Sequence, residues 1–136
     1  MNILIIDDRQ EIADMEKMFI DSNFPEDEVE LITKPRISFL QELVEHIFTH
    51  LKKGVRREID YDVVVLDFNL SDKENGLTLA ALLRSISKDV RIILASANKE
   101  NFSGHIEEIE KLDILVLEKP FSYEGFLTTL GHNKAD

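Results

Sequence analysis

Polar side chains follow four short apolar runs of the sequence, and their types could bind a metal ion and react with phosphorus. In chain order, the runs with the polar residues after them are residues 3–6 with Asp7 and Asp8, residues 63–66 with Asp67, residues 90–95 with Ser96, and residues 114–117 with Lys119. Three carboxylates that lie close together repel one another, so a cation must compensate their charge or one of them takes up a proton. Magnesium prefers oxygen ligands and keeps several waters, so two or three protein oxygens would suffice.

The same positions supply the other groups that phosphoryl transfer requires. A carboxylate held between a metal ion and an ammonium group can attack phosphorus and form an acyl phosphate. Lys119 offers the ammonium group, and the hydroxyl of Ser96 could hydrogen-bond a phosphoryl oxygen. Each residue taken singly more often caps a helix or forms a turn. The conjunction of all of them, each after a different apolar run, is what favours a joint site.

The apolar runs themselves predict strands of a parallel sheet. They are rich in Val and Ile and have no polar alternation, which is typical of strands that are buried on both faces. Residues 29–33 form a fifth and weaker candidate strand.

Amphipathic segments between these runs predict five helices. Their apolar faces are formed by Ile12, Met15 and Phe19; by seven residues from Ile37 to Leu51; by Leu79, Leu82, Leu83 and Ile86; by Ile106, Ile109 and Leu112; and by Phe126, Leu127 and Leu130. Ser122 is predicted to cap the last helix, Gly54 to end the second, and Gly76 to lie just before the third.

The alternation of strand and helix predicts an α/β fold with a doubly wound, five-stranded parallel sheet. Right-handed crossovers place helices on both faces of such a sheet. Ligand sites in open α/β sheets lie beyond the carboxyl ends of the strands. We therefore expect the polar residues after the strands to converge on one edge.

Length and composition restrict the class of protein. The 136 residues suit a single domain, residues 1–136, with a polar tail over 131–136. The net charge of −11 argues against direct nucleic-acid binding, and the absence of cysteine excludes thiol and disulfide chemistry. No apolar run approaches the ~18 residues of a membrane span, and the N-terminal residues do not resemble a signal peptide. We therefore expect a cytoplasmic protein that does not bind membranes.

The chain resembles response-regulator receiver domains, the CheY-like family of two-component signalling. The resemblance extends from Met1 to about His132 and rests on residues 3–8, 63–70 with Gly76 after them, 92–97 and 117–121. It implies a flavodoxin-like (βα)5 sheet with the strand order 2-1-3-4-5.

The resemblance also implies a role for each site residue. Asp67 would accept the phosphoryl group, Asp8 would bind Mg²⁺ directly, and Asp7 would act mainly through water. The backbone carbonyl of Asn69 would also bind the metal. Ser96 would be the switch hydroxyl, Lys119 would pair with the phosphoryl group, and the small Ala97 would leave space for that group. The peptide bond between Lys119 and Pro120 would be cis.

Two features depart from the family pattern. The stretch between the second strand and Asp67 is about a dozen residues longer than usual, so residues 37–60 are expected to form an elongated second helix or an added loop. Val116 stands where many members have an aromatic switch residue, three positions before Lys119.

The implied function is that of a phosphoacceptor which catalyses its own aspartyl phosphorylation and dephosphorylation. Its partners would be a histidine kinase or phosphotransfer protein and a downstream protein or output domain, and a homodimer is compatible with the pattern. An alternative is an atypical receiver domain that binds a partner independently of phosphorylation. A phosphatase of the haloacid-dehalogenase type is disfavoured because Asn69 stands where a second acidic residue is needed, and no Ser- or Gly-rich loop supports flavin binding.

Overall fold

A computed structural model describes residues 1–35, 37–52, 61–70 and 74–131, with only the backbone given for residues 47–52. The strands are β1 (Asn2–Ile6), β2 (Glu28–Ile32), β3 (Val63–Asp67), β4 (Arg91–Ser96) and β5 (Leu115–Glu118). The described helices are α1 (Gln10–Asn23), α2 (Phe39–Lys52), α3 (Gly76–Ile86), α4 (Glu100–Ser103), α5 (Ile106–Lys111) and α6 (Tyr123–Leu130).

All five strands form one parallel sheet in the order β2-β1-β3-β4-β5. The predicted doubly wound sheet and its strand order are therefore confirmed. In the register, Leu66 of β3 lies opposite Ile6 of β1 on one side and Leu94 of β4 on the other. The carboxyl ends of these strands consequently lie side by side at one edge.

Alternate residues of the central strands pack into two separate cores, one on each face of the sheet. One face of β1 and β3 packs under α1 and α6, as Ile5, Val65, Ile20 and Phe126 illustrate. The opposite face packs under α2, α3, α4 and α5, which contribute Leu43, Leu83, Phe102 and Ile109 to the second core. Because helices cover both faces of the sheet, side chains on both faces of the central strands are buried. This explains why the sequences of these strands are apolar throughout.

The second helix begins later than its sequence pattern predicts. Ile37 is 75% exposed and precedes α2, which begins at Phe39. Ser38 and Glu74 bind the first N–H groups of this helix: Ser38 Oγ accepts from Gln41 N at 3.0 Å, and the Glu74 carboxylate accepts from the backbone of Phe39 and Leu40 at 3.0 Å each. The helix has 14 residues, as α1 does. Gly54 and residues 53–60 lie outside the described residues.

Two predicted helix faces differ from those observed. In α1 the fully buried positions are Ala13, Glu16 and Ile20, so the face is rotated by one residue from the predicted one. The helix predicted from Ile106, Ile109 and Leu112 is α5, but Ile106 is 51% exposed, and a separate short helix that was not predicted, α4, precedes it. In both cases packing between elements, which periodicity does not report, decides the face.

Helix starts are close to those predicted. Ser122 accepts a hydrogen bond from the N–H of Gly125 at 2.9 Å and caps α6, as expected. Asn75 caps α3 in the same way through Thr78 N at 3.0 Å. Gly76 is the first residue of α3, so this helix begins one residue earlier than the sequence predicts.

Candidate functional site

Backbone hydrogen bonds continue past the strand ends and fix the loops that carry the site. Asp7 N donates to Ile32 O at 3.2 Å, and Phe68 N donates to Ala95 O at 2.8 Å. Lys119 N donates to the carbonyl of the residue that ends β4 at 2.9 Å. Residues far apart in the chain are thereby held at one edge of the sheet, as the order of strands requires.

Lys119 joins two of the carboxylates. Its Nζ lies 3.4 Å from Asp7 Oδ2 and 3.3 Å from Asp67 Oδ1. The side chains of Lys119, Asp7 and Asp67 are 11%, 3% and 8% exposed, so these ion pairs are largely shielded from water. Removing Lys119 would leave both buried carboxylates without this cation, which is strongly unfavourable, whereas losing one carboxylate leaves the ammonium group paired with the other. The peptide bond between Lys119 and Pro120 is cis, as the resemblance implied.

Asp7, Asp8 and Asp67 form an acidic cluster whose oxygens lie within 4.8 Å of one another. Burial raises the pKa of Asp67 above its usual value, and the nearby Lys119 ammonium opposes this shift. Burial, followed by the negative charge of Asp7, raises the pKa of Asp8. The carboxylates of Asp67 and Asp8 are therefore less stable in their charged form than in water, and a divalent cation would stabilise that form.

A cleft of about 260 Å³ opens at the cluster. Its lining comprises Asp8, Arg9, Asp67, Asn69, Ala97 and Lys119. Asp67 thus faces the cleft together with the small side chain of Ala97, which leaves space beside the carboxylate.

Ser96 lies near this cleft without lining it. The residue ends β4 and is 1% exposed. Its Oγ bonds to Asn98 and Asn101 in the segment that follows β4. The sequence correctly places the hydroxyl at the edge of the sheet, but the structure orients it toward that segment.

Two charged residues near the cluster were not identified from the sequence. Arg9 lines the cleft, and its Nε lies 3.8 Å from Asp7 Oδ1, which also accepts from the Arg9 backbone N–H at 2.9 Å. Glu16 of α1 is 2% exposed, and its Oε2 has no hydrogen-bond partner among the described residues. Nothing in the sequence pattern marks Glu16 as buried, because a charged residue of an amphipathic helix normally faces solvent.

Replacing Gly76 by Ala is expected to destabilise the fold by about 1–3 kcal/mol. A Cβ at this position would lie 2.4 Å from Asp67 O and 2.9 Å from Leu94 Cδ1, so the backbone behind the cluster would have to move. Urea unfolding monitored by circular dichroism would measure the loss. Gly125→Ala is the matched control, since its Cβ would meet only the Ser122 hydroxyl at 3.0 Å. Equal stability of Gly76→Ala and the unmodified protein would contradict the prediction.

Comparison with solved structures identifies the architecture. The response regulator receiver domain protein of Clostridium thermocellum matches with a TM-score of 0.74 and 17% identity, over 96% of this chain and 90% of that chain. The chemotaxis protein CheY4 of Vibrio cholerae matches with a TM-score of 0.69 and 22% identity, over 96% and 95% of the two chains. The chain has the receiver-domain fold. The signal receiver domain of a DNA-binding response regulator from Colwellia psychrerythraea shares this fold, with a TM-score of 0.71 and 21% identity, over 96% of this chain and 94% of that chain.

Other comparisons add no closer relative. No protein-family model matches the chain, and no curated protein matches it. The receiver fold is thus recognised from structure at identities below 25%. Among the described residues, none of the helices combines the length and apolar character needed to cross a membrane.

Proposed function

We propose that residues 1–136 are a single receiver domain of two-component signal transduction, which accepts a phosphoryl group onto Asp67. The observation that carries the proposal is the setting of this carboxylate. Asp67 ends the central strand β3, lies 3.3 Å from the ammonium group of Lys119, and has oxygens of Asp7 and Asp8 within 4.8 Å. A buried carboxylate between a cation and an acidic cluster fits an acceptor of phosphoryl groups.

The geometry favours Asp67 over the other two carboxylates as the acceptor. Asp7 does not line the cleft and is already bound by Lys119 and by the backbone N–H of Arg9. Asp8 lines the cleft but is exposed, and among the described residues it forms no ion pair like the one that orients Asp67 toward Lys119. Asp67 alone combines burial, access to the cleft and a direct ion pair with Lys119.

In the proposed transfer, an Asp67 carboxylate oxygen attacks phosphorus and forms a new oxygen–phosphorus bond. The bond between phosphorus and the donor breaks, and its electron pair stays with the leaving group. With a histidine kinase or phosphotransfer protein as donor, that leaving group is an imidazole. Attack by water on the acyl phosphate would later release phosphate and return the carboxylate, so the domain would catalyse both its own phosphorylation and its dephosphorylation.

The donor set fits Mg²⁺. Carboxylate oxygens are hard ligands, and the cluster of Asp7, Asp8 and Asp67 carries more negative charge than Lys119 alone can balance. We propose that these three residues and the backbone carbonyl of Asn69 hold the ion, with Asp7 acting mainly through water. Bound there, Mg²⁺ would neutralise charge on the phosphoryl oxygens. Lys119 would stabilise the same charge from its position beside Asp67.

Phosphorylation would then act as a switch for protein binding. The phosphoryl group adds about −1.5 to −2 charge at pH 7, which would draw the side chains of Ser96 and Lys119 toward Asp67. The segment after β4 would follow Ser96, and we propose that a downstream protein or output domain reads the altered surface. Under this proposal the domain would meet its kinase in the cytoplasm and would not contact nucleic acid directly. A homodimer is compatible with the same assignment.

Mass spectrometry of the intact protein after incubation with acetyl phosphate tests the proposal. We expect the gain of one phosphoryl group, at least about tenfold faster with Mg²⁺ than with EDTA, because the ion compensates the acidic cluster. Omitting acetyl phosphate is the control for prior modification. A protein that gains no mass under any of these conditions would contradict the proposal. That result would favour the alternative, a module that binds its partner independently of phosphorylation. Val116, which is 44% exposed, fits this alternative because it stands where many receiver domains have an aromatic switch residue.

A further inference from the structure

The hydroxyl of Ser96 is the centre of a small hydrogen-bond cluster after β4. Asn101 donates from Nδ2 to Ser96 Oγ at 2.7 Å, and the backbone N–H of Asn98 donates to the same oxygen at 3.0 Å. Ser96 Oγ in turn donates to the carbonyl of Asn98 at 3.3 Å. A hydroxyl has one proton and two acceptor lone pairs, so these contacts use its full hydrogen-bonding capacity.

The hydroxyl cannot bind a phosphoryl group from this arrangement. A phosphoryl oxygen is an acceptor, so Ser96 would have to donate its only proton, which now points to Asn98 O. Moving Oγ toward Asp67 would also stretch its shortest contact, the one from Asn101. Some of these bonds must therefore break when the hydroxyl turns to a phosphoryl group.

Asn101 is itself held in place by neighbouring residues. It belongs to the short helix α4, and its backbone carbonyl oxygen lies 3.0 Å from Nδ1 of His105. The His105 ring lies against the ring of Phe68, with 5.6 Å between centroids, and Phe68 directly follows Asp67. The backbone of Asn101, which carries the amide, is thus connected through His105 to the loop that carries Asp67.

We propose that Asn101 is a positioning residue, which holds the Ser96 hydroxyl in a resting orientation and must release it before that hydroxyl can bind a phosphoryl group. This inference rests on the proposed function. The bond from Asn101 stabilises the resting state alone, so it opposes any ligand that needs the turned hydroxyl. Removing it should tighten the binding of such a ligand by about fivefold, the effect of one ordinary hydrogen bond.

Calorimetric titration with beryllofluoride in the presence of Mg²⁺ is a direct test, since this ion mimics a phosphoryl group on a carboxylate. Asn101→Leu is close in size to the natural residue but has no donor, and we expect it to bind beryllofluoride about fivefold more tightly. Asn101→Ala should change affinity in the same direction and serves if the Leu variant folds poorly. Ser103→Ala, in the same helix, is the control and should bind as the unmodified protein does.

A double-mutant cycle separates positioning of the hydroxyl from general support of the fold. In a Ser96→Ala background no hydroxyl remains to be held, so Asn101→Leu should leave the affinity for beryllofluoride unchanged. A merely structural role for Asn101 would alter affinity equally in both backgrounds.

The outcomes distinguish the two proposals. If the unmodified protein binds no beryllofluoride, the proposed function fails and this inference fails with it. If the unmodified protein binds the ion and both Asn101 variants bind it equally or more weakly, the phosphoacceptor proposal stands and the role of Asn101 is overturned.

Discussion

Asp67→Asn is expected to abolish the Mg²⁺-dependent gain of a phosphoryl group completely. The amide has no carboxylate oxygen to attack phosphorus, while its size and shape are almost unchanged. Lys119 would keep its contact with Asp7 at 3.4 Å, so the surrounding residues would still be paired. Intact mass after incubation with acetyl phosphate, followed over time, measures the effect.

Loss of folding is not expected to explain that result. Burial raises the pKa of Asp67, which means that its charged form is disfavoured in the folded state, and an uncharged amide removes this cost. The thermal midpoint of Asp67→Asn should therefore equal or exceed that of the unmodified protein. Asp89→Asn, an exposed position in the segment before β4, is the matched control and should label normally. Labelling of Asp67→Asn at the normal rate would refute the assignment of the acceptor.

The second large effect is expected at Glu16, whose replacement by Met should stabilise the protein at high pH. Burial, with a further contribution from the negative charge of Asp7, raises the pKa of Glu16 to about 8. The unfolded chain releases this proton near pH 4.5, whereas the folded protein keeps it until about pH 8. The unmodified protein must therefore lose stability as the pH rises between these values, and the loss is complete above the folded pKa.

The magnitude follows from the shift. At about 1.4 kcal/mol for each pKa unit, the stability advantage of Glu16→Met should grow by about 3–5 kcal/mol between pH 4 and pH 9. Urea unfolding across this pH range, in EDTA so that divalent ions do not screen Asp7, would measure it. Glu11→Met, an exposed position of the same helix, is the control and should stay within about 0.5 kcal/mol at every pH. Parallel stability curves for Glu16→Met and the unmodified protein would contradict the prediction.

Glu16 also illustrates what sequence periodicity can and cannot report. The pattern of Ile12, Met15 and Phe19 correctly predicted an amphipathic helix, but the fully buried positions are Ala13, Glu16 and Ile20. A charged residue in such a pattern is normally expected to face solvent, because burial of an unpaired carboxyl is costly. Only the packing of α1 on the sheet reveals that this residue is enclosed.

The sequence by itself determined the strands, the sheet and the edge at which the site forms. Uninterrupted Val- and Ile-rich runs report burial on both faces, and parallel connection then brings the residues after those runs to one edge. Asp7, Asp8, Asp67 and Lys119 could be placed together for this reason, since their positions depend on strand ends and not on packing details.

Tertiary structure alone decided the details that depend on contacts between elements distant in the sequence. It divides the segment before β5 into α4 and α5, turns Ser96 toward Asn101, and encloses Glu16. Periodicity describes how one element meets its surroundings on average, but hydrogen-bond partners and the burial of single side chains depend on which atoms the neighbouring elements present. Those partners are fixed only when the helices pack on the sheet.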